Sequence, residues 1–175
     1  MRKTLYLFCS AAPPVFEVAG VVEEAQTRGW DVCLGLTPTA ADWLRDGIGG
    51  LSALTGRPVR WAYERPGEPE VWPPADALLV APATLNTVNR WALGLTDTLV
   101  TGYAAEAVGR GTPTAVMPCL NTACARHPRF GPSLETLRAA GVRVLYGPEG
   151  FEPHEPGEQR SYPWGMALDV ADGLG

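Results

Sequence analysis

Short apolar runs alternate along this chain with longer stretches in which hydrophobic residues recur at helical spacing. The runs are almost continuously apolar, which predicts buried strands of a parallel sheet rather than strands with one solvated face. They occupy residues 4–9, 30–36, 59–63, 77–81, 112–117 and 142–146. The run at 59–63 is interpreted as a third strand, and the clearest buried strand is the run at 77–81.

The segments between these runs predict helices and loops. Hydrophobic residues recur at helical spacing from Pro13 to Ala25, and Gly29 then ends that helix. Further helices are predicted at residues 38–45, 84–93, 97–108 and 133–140. Residues 47–57 are glycine-rich and ambiguous. Loops rich in proline and glutamate are predicted at residues 64–74 and 147–163.

The alternation of strands and helices predicts the fold class. Such chains form right-handed βαβ units, which place helices on both faces of a parallel sheet. We therefore expect an α/β three-layer sandwich formed by a single domain over residues 1–175. The length of 175 residues and the hydrophobic fraction of 46% are sufficient for one such core. Ligands of these sheets bind outside the carboxyl ends of the strands, so the loops that follow the strands are the candidate sites.

Composition and charge narrow the possible partners. The net charge is −5 and there is no run of Lys or Arg, which argues against nucleic acid. No apolar run approaches the ~18 residues of a membrane span, and the start of the chain is better explained by a first strand than by a signal peptide. The four cysteines form no CxxC pair, so no zinc site is expected. Cys9 and Cys33 lie in strands and are expected to be buried, reduced thiols, which suits a cytoplasmic protein.

Polar residues at the ends of the first two strands are candidates for anion binding. There is no GxGxxG and no GxxxxGK[ST] motif, so neither a dinucleotide loop nor a P-loop is supported. Ser10 follows the first strand and Thr37 the second, each just before a predicted helix. Helix N-termini attract anions, so these two loops can hold one phosphate. The alternative is ordinary capping of the two helices by hydroxyl groups.

Two later loops carry further candidates. The loop of residues 81–87 places small residues beside Thr84, Asn86 and Thr87, which suits the approach of a flat ring with polar edges. Thr84 can equally be a helix cap. Asn121 follows the strand at 112–117, where its amide can bind a carboxylate or serve only in a turn.

These loops together resemble a known family. Ala75-Asp76, the loop of residues 81–87 and the segment 94–99 are similar to the signature AD…PASANT…GxDNLL of the flavoprotein domain. Residues 118–123, followed by Pro128, resemble its motif PxMNxxMW…P. The family is that of the homo-oligomeric flavin-containing cysteine decarboxylases, which includes phosphopantothenoylcysteine decarboxylases and epidermin-type peptidyl-cysteine decarboxylases. The resemblance is close over residues 75–128.

The resemblance implies a flavodoxin-like (Rossmann-like) fold, bound FMN and a set of site residues. The residues that match cofactor-binding positions are Ser10, Thr37, Pro82, Ala83, Thr84, Asn86, Thr87 and Asp97. Asn121 matches the asparagine that contacts the substrate carboxylate, and Met166 lies in a segment similar to one that covers substrate. Residues 147–165 are then a possible substrate-covering loop. The family also implies homotrimers with FMN between subunits, sometimes assembled into homododecamers.

One departure from the family concerns proton transfer. The family's catalytic histidine precedes the strand that leads into the PASANT motif, but residues 62–74 contain no histidine. Glu68 falls near that position and is our candidate for acid–base catalysis, beside Asn121. The alternative is a solvated cluster of Glu64, Glu68 and Glu70. The two histidines of the chain lie elsewhere, and His154, in the C-terminal loop, is interpreted as solvated.

The function that the resemblance implies is FMN-dependent oxidative decarboxylation. The substrate would be a small thiol that carries a carboxylate, or a peptide that ends in cysteine. Two alternatives stay open because of the missing histidine. One is a flavin oxidoreductase that releases no CO₂, and the other is a non-catalytic FMN-binding or regulatory subunit.

Overall fold

A computed structural model describes residues 2–174, and its centre is a five-stranded sheet. The strands are β1 (Lys3–Cys9), β2 (Trp30–Leu36), β3 (Ala77–Ala83), β4 (Thr114–Pro118) and β5 (Arg143–Val144). Their order is β2-β1-β3-β4-β5, and all neighbouring pairs are parallel. The predicted flavodoxin-like α/β class is confirmed.

The connections between the strands are helical. The helices are α1 (Val18–Thr27), α2 (Pro38–Trp43), α3 (Ile48–Thr55), α4 (Leu85–Ala92), α5 (Leu99–Arg110), α6 (Thr122–Ala125), α7 (Phe130–Ala139) and α8 (Trp164–Asp172). Short 3-10 segments at Pro13–Glu17 and Arg45–Gly47 precede α1 and α3. No helix within residues 2–174 is long and apolar enough to cross a bilayer.

The helices cover both faces of the sheet. The chain leaves β1 for β2 and β3 for β4 in opposite directions along the sheet, so right-handed crossovers place α1 and α5 on opposite faces. Arg28, just after α1, pairs with Asp169 at 2.7 Å and Asp172 at 2.9 Å, which places α8 beside α1. Helix α4 contacts both α5 and α7. These contacts define the three layers.

The core beneath α5 is aromatic. The rings of Tyr6 and Phe8 in β1 lie 5.8 Å and 6.0 Å from Tyr103 of α5, measured between centroids. Gly35 pairs with Phe8 across the β1–β2 ladder, and a Cβ there would lie 2.4 Å from the Phe8 ring. Phe8 is fully buried and has no space to move into, so this position requires glycine.

The predicted strand at 59–63 is wrong. Only Arg60 pairs with the edge of β2, where its N–H donates to Leu34 at 3.1 Å and its carbonyl accepts from Leu36 at 2.8 Å. The buried Arg60 guanidinium bonds Tyr103 at 2.8 Å and Glu70 at 3.0 Å. These side-chain bonds draw the chain away from the sheet after a single bridge, since a strand needs successive pairs.

Other boundaries also differ from the sequence-based expectation. The ambiguous segment 47–57 contains α3, which ends at Gly56 with a positive φ of 69°. The last strand shortens to Arg143–Val144. Helix α7 begins before Gly131-Pro132 rather than after it, because proline is tolerated in the first turn. Helix α8 was not expected.

Candidate functional site

Three strand ends meet at the point where the sheet topology reverses. β1 and β3 are neighbours, and the connections that leave them run in opposite directions, which defines the usual ligand-binding crevice of such sheets. The Ser10 N–H donates to the Pro82 carbonyl at 2.8 Å, and the Thr37 N–H donates to the Cys9 carbonyl at 3.0 Å. The loops after β1, β2 and β3 are thus joined through the main chain.

A chain of hydroxyl groups crosses this junction. Thr84 Oγ1 contacts Thr87 Oγ1 at 3.4 Å, and Thr87 Oγ1 lies 2.8 Å from Ser10 Oγ. When Thr84 donates to Thr87 and Thr87 donates to Ser10, the Ser10 hydroxyl hydrogen remains for an acceptor outside the trio. Ser10 and Thr87 are buried, and Thr84 is the member of the trio that lines the cleft described below.

Thr37 and Thr84 are also helix caps. Thr37 Oγ1 accepts from the Ala40 N–H at 3.4 Å at the start of α2, and Thr84 Oγ1 accepts from the Thr87 N–H at 3.3 Å at the start of α4. The capping alternative is therefore confirmed for both residues. Capping uses one lone pair of each hydroxyl, so it does not by itself exclude a ligand.

An open cleft of about 850 Å³ lies at these strand ends. Its walls include the segment after β1, Thr84, the loop after β4 and the C-terminal loop. The polar and titratable residues of its lining include Glu17, Thr84, Cys119, Asn121, His154, Glu158, Arg160 and Tyr162. Phe16 and Trp43 form a parallel aromatic pair in the same wall, with centroids 5.7 Å apart. Sequence reasoning missed this pair because the two residues belong to different connections.

Asn121 presents its amide nitrogen to a ligand. Its Oδ1 accepts from the Cys124 N–H at 2.9 Å and so caps α6. The oxygen of the amide is therefore committed, and the Nδ2 group is the part with hydrogen atoms to donate. Asn121 lines the cleft, so a carboxylate there meets a donor rather than an acceptor.

The C-terminal loop, residues 147–163, forms one side of the cleft. The Thr122 N–H donates to the His154 carbonyl at 2.8 Å, and Asn121 and His154 form a parallel bridge. The buried Tyr162 hydroxyl donates to the Met117 carbonyl at 2.6 Å and fixes the end of the loop under β4. His154 is half-buried and lines the open cleft, a position that the sequence did not predict.

The thiol in the cleft is neutral. Burial raises the pKa of Cys119 to about 11, so its sulfur stays protonated at neutral pH and is a poor nucleophile. Cys9 and Cys33 are buried free thiols, as the sequence predicted. Burial is the main cause that raises the pKa of Cys33 to about 12.

Of the eleven proposed site residues, Thr84 and Asn121 line the cleft. Ser10, Thr37, Pro82, Ala83 and Thr87 belong to the adjoining strand ends without lining it, and four others lie elsewhere. Glu68 Oε2 accepts from the Arg65 N–H at 2.9 Å in an exposed turn. Asn86 Oδ1 accepts from Arg90 Nε at 3.0 Å on the exposed face of α4, and Arg90 also pairs with Asp97. Met166 is exposed on α8. These four positions are not brought together with Asn121, and their proposed roles stay predictions.

The donor set of the cleft fits FMN. The cavity is within the size range of small-molecule sites. A phosphate in the cleft would meet Thr84 at the N-terminus of α4, an eight-residue helix. The sequence lacks the glycine fingerprint GxGxxG of dinucleotide sites, and a mononucleotide ligand is consistent with that.

Fold and site together define a flavodoxin-like α/β protein with a ligand cleft at the carboxyl ends of its strands. The family model described as Flavoprotein matches residues 1–164, and the chain belongs to this family. The family resemblance predicted from the loops is confirmed.

Comparison with curated proteins gives bifunctional relatives. The chain is 26% identical over 156 residues to the coenzyme A biosynthesis bifunctional protein CoaBC of Vibrio vulnificus, with 86% of this chain and 37% of that protein covered. The CoaBC protein of Escherichia coli is 27% identical over 153 residues, with 84% and 36% covered. The chain thus spans little more than a third of the length of these relatives.

Solved structures share the fold along nearly the whole chain. The FMN-dependent cysteine decarboxylase SpaF superposes with a TM-score of 0.70 at 23% identity, covering 98% of both chains. The cypemycin decarboxylase CypD superposes with a TM-score of 0.73 at 18% identity, covering 98% of this chain and 92% of the other. At these identities the similarity establishes the fold.

Proposed function

We propose that this protein binds FMN in the cleft and catalyses the oxidative decarboxylation of a cysteine-derived carboxylate. The substrate is a small thiol carboxylate or a peptide with a C-terminal cysteine. The observation that carries the proposal is one cleft lined both by Thr84, a member of a chain of hydroxyl groups, and by the amide of Asn121. The hydroxyl chain joins Ser10, Thr87 and Thr84, and the Asn121 amide presents its Nδ2 group.

Membership of the Flavoprotein family supports the cofactor, and the decarboxylase neighbours support the reaction class. Bound FMN would supply a two-electron acceptor for oxidation of the thiol-bearing carbon. The residues of the chain bind the cofactor and orient the substrate. Ser10, Thr37 and Thr84 hold the phosphate end, and the backbone at Pro82 and Ala83 approaches the ring. Asn121 holds the substrate carboxylate, and residues 147–165 cover the substrate.

The assembly and location follow from the same family. We infer a homotrimer, or a homododecamer built from trimers, in the cytoplasm. In such an assembly Asn86 and Asp97 complete the FMN site across the subunit boundary, where their exposed positions on α4 and beside α5 make them available. Glu68 and Met166 reach only a substrate that is bound in the cleft of a neighbouring subunit.

The test begins with the cofactor. The purified protein should carry FMN, identified by its visible spectrum and by chromatography after heat release. Cysteine, N-acylcysteines and peptides that end in cysteine are then offered with oxygen as the final acceptor. Oxidative decarboxylation removes CO₂ and two hydrogens, a loss of about 46 Da that mass spectrometry detects. A protein that takes up no FMN contradicts the whole proposal.

A second candidate is a non-catalytic FMN-binding subunit. The observation that favours it is the position of Glu68, which the single chain holds in an exposed turn away from the cleft. This candidate predicts normal FMN binding with no mass change in any substrate. A mass loss of about 2 Da instead would indicate a flavin oxidoreductase that releases no CO₂.

A further inference from the structure

The cleft contains an imidazole that has no assigned role. His154 lines the cleft with Asn121, and its carbonyl accepts from the Thr122 N–H at 2.8 Å. The pairing between the two segments is made by main-chain atoms, so it fixes the position of His154 next to the Asn121 site without using the ring. A cleft that binds a thiol carboxylate through Asn121 therefore has an imidazole beside it.

The hydrogen bond of the ring defines its tautomer. His154 Nδ1 lies 3.0 Å from the Glu155 carbonyl oxygen, which can only accept. Nδ1 therefore carries the hydrogen, and Nε2 of the neutral ring has a lone pair. Among the described residues, the hydrogen bond of this ring is made by Nδ1. The ring is also oriented by Phe151, whose plane is inclined 85° to it at a centroid distance of 6.2 Å.

The other titratable groups around the cleft are either buried and held protonated or exposed to solvent. The groups that share it are Glu17, Cys119, Glu158, Arg160 and Tyr162, while Glu152 and Glu155 flank His154 in the loop. Burial raises the pKa of Cys119 to about 11 and that of Tyr162 well above its usual value, so both stay protonated. Glu17, Glu158 and Arg160 have exposed side chains, and Glu158 and Arg160 approach each other at 3.8 Å.

We propose that His154 is the proton-transfer residue of the cleft, and this proposal rests on the proposed decarboxylation. Nε2 accepts the S–H proton, and bound FMN would supply the two-electron acceptor for the hydride of the carbon next to sulfur. The electrons of the C–C bond to the carboxylate then move towards sulfur, and CO₂ leaves. The enethiolate sulfur takes the proton back from His154, so the substrate loses CO₂ and one hydride in total.

The kinetic test compares His154→Gln with His127→Gln. His127 is exposed and does not line the cleft, so it is a matched control. His154→Gln should bind FMN normally and lose ~10²-fold or more in kcat, as is typical when general acid–base help is removed. His127→Gln should leave both FMN binding and kcat unchanged.

A second measurement is independent of turnover. Diethyl pyrocarbonate modifies unprotonated imidazole nitrogens, and the chain has two histidines that peptide mapping separates. N-acetylserine, a thiol-free analogue of the substrate, is bound to the FMN-loaded protein, and its binding is followed by the flavin spectrum. Bound analogue should slow the modification of His154 several-fold and leave that of His127 unchanged. Equal modification of His154 with and without bound analogue would overturn the proposal.

The outcomes separate the two proposals. A wild type that loads FMN but releases no CO₂ refutes the proposed reaction, and the role of His154 falls with it. An active wild type with an unaffected His154→Gln variant refutes the role of His154 alone. A large loss in Glu68→Gln with normal turnover in His154→Gln assigns proton transfer to Glu68 instead.

Discussion

Ser10 illustrates how one side chain can have both a structural and a ligand-binding role. Its Oγ lies 2.8 Å from Thr87 Oγ1, and its N–H donates to Pro82. Both bonds fix the position of the loop after β1 relative to the end of β3 and the segment that follows it. A hydroxyl that accepts from Thr87 retains its own hydrogen, and a phosphate is the strongest acceptor that this position can meet.

The substitution Ser10→Ala tests the ligand-binding role of this hydroxyl group. Loss of a hydrogen bond to a charged acceptor costs about 1.5–3 kcal/mol, so FMN affinity should fall roughly ten- to hundredfold. Ser133→Ala is the matched control because Ser133 is equally buried and its Oγ donates to Asn89 at 2.8 Å, away from the cleft. Fluorescence titration of the apoprotein with FMN measures both. Equal affinities in the two variants would remove Ser10 from the phosphate site.

At the scale of elements, the C-terminal loop has a more defined structure than its composition indicates. Residues 147–163 are rich in proline, glycine and glutamate, which predicts a solvated loop. The structure instead anchors it through buried aromatic residues, since Tyr162 packs against Phe151 and Trp164 at centroid distances of 5.7 Å and 4.9 Å. Gly150 permits the turn, because a Cβ there would lie 2.1 Å from the Leu145 carbonyl carbon.

Tyr162→Phe tests this anchor. The substitution keeps the ring and leaves the Met117 carbonyl without its 2.6 Å donor, which should lower the free energy of unfolding by about 1–3 kcal/mol. Tyr63→Phe is the control, because Tyr63 donates to the Thr96 carbonyl at 3.1 Å from an exposed position and should change stability by less than ~0.5 kcal/mol. Urea unfolding measures both variants. Equal midpoints would show that the Tyr162 bond contributes no net stability.

The sequence was sufficient to predict the features that depend on local pattern. It was not sufficient for the features that depend on contacts between residues far apart in the chain. All five observed strands and the candidate positions Thr84 and Asn121 followed from apolar runs and strand ends. The false strand at 59–63 arose because its apolar pattern does not show that Arg60 bonds to Glu70 and Tyr103. The place of His154 in the cleft was not predicted for the same reason. Its place in the cleft depends on pairing with a segment more than thirty residues earlier.

At the scale of the whole molecule, the surface near α4 is unusual for a monomer. Leu93 and Leu95 follow α4 with 54% and 46% of their surfaces exposed. They adjoin Arg90, which holds Asn86 and Asp97 in one exposed cluster. Apolar side chains beside an ordered polar cluster are typical of protein interfaces, where a polar rim surrounds an apolar centre. This surface carries residues that the family resemblance assigns to FMN binding.

We therefore expect the FMN-loaded protein to be a trimer or a multiple of it in solution. Light scattering should give a mass of three times the 18.7 kDa chain, or a multiple of that value. Leu93→Ser combined with Leu95→Ser should weaken both the assembly and FMN binding, because the subunit boundary then loses apolar area beside Asn86 and Asp97. Val71→Ser is the control, since Val71 is an exposed apolar residue of the 64–74 loop and should leave the mass unchanged. A monomer that retains FMN with full affinity would contradict a shared site and would place the complete cofactor site within the single-chain cleft.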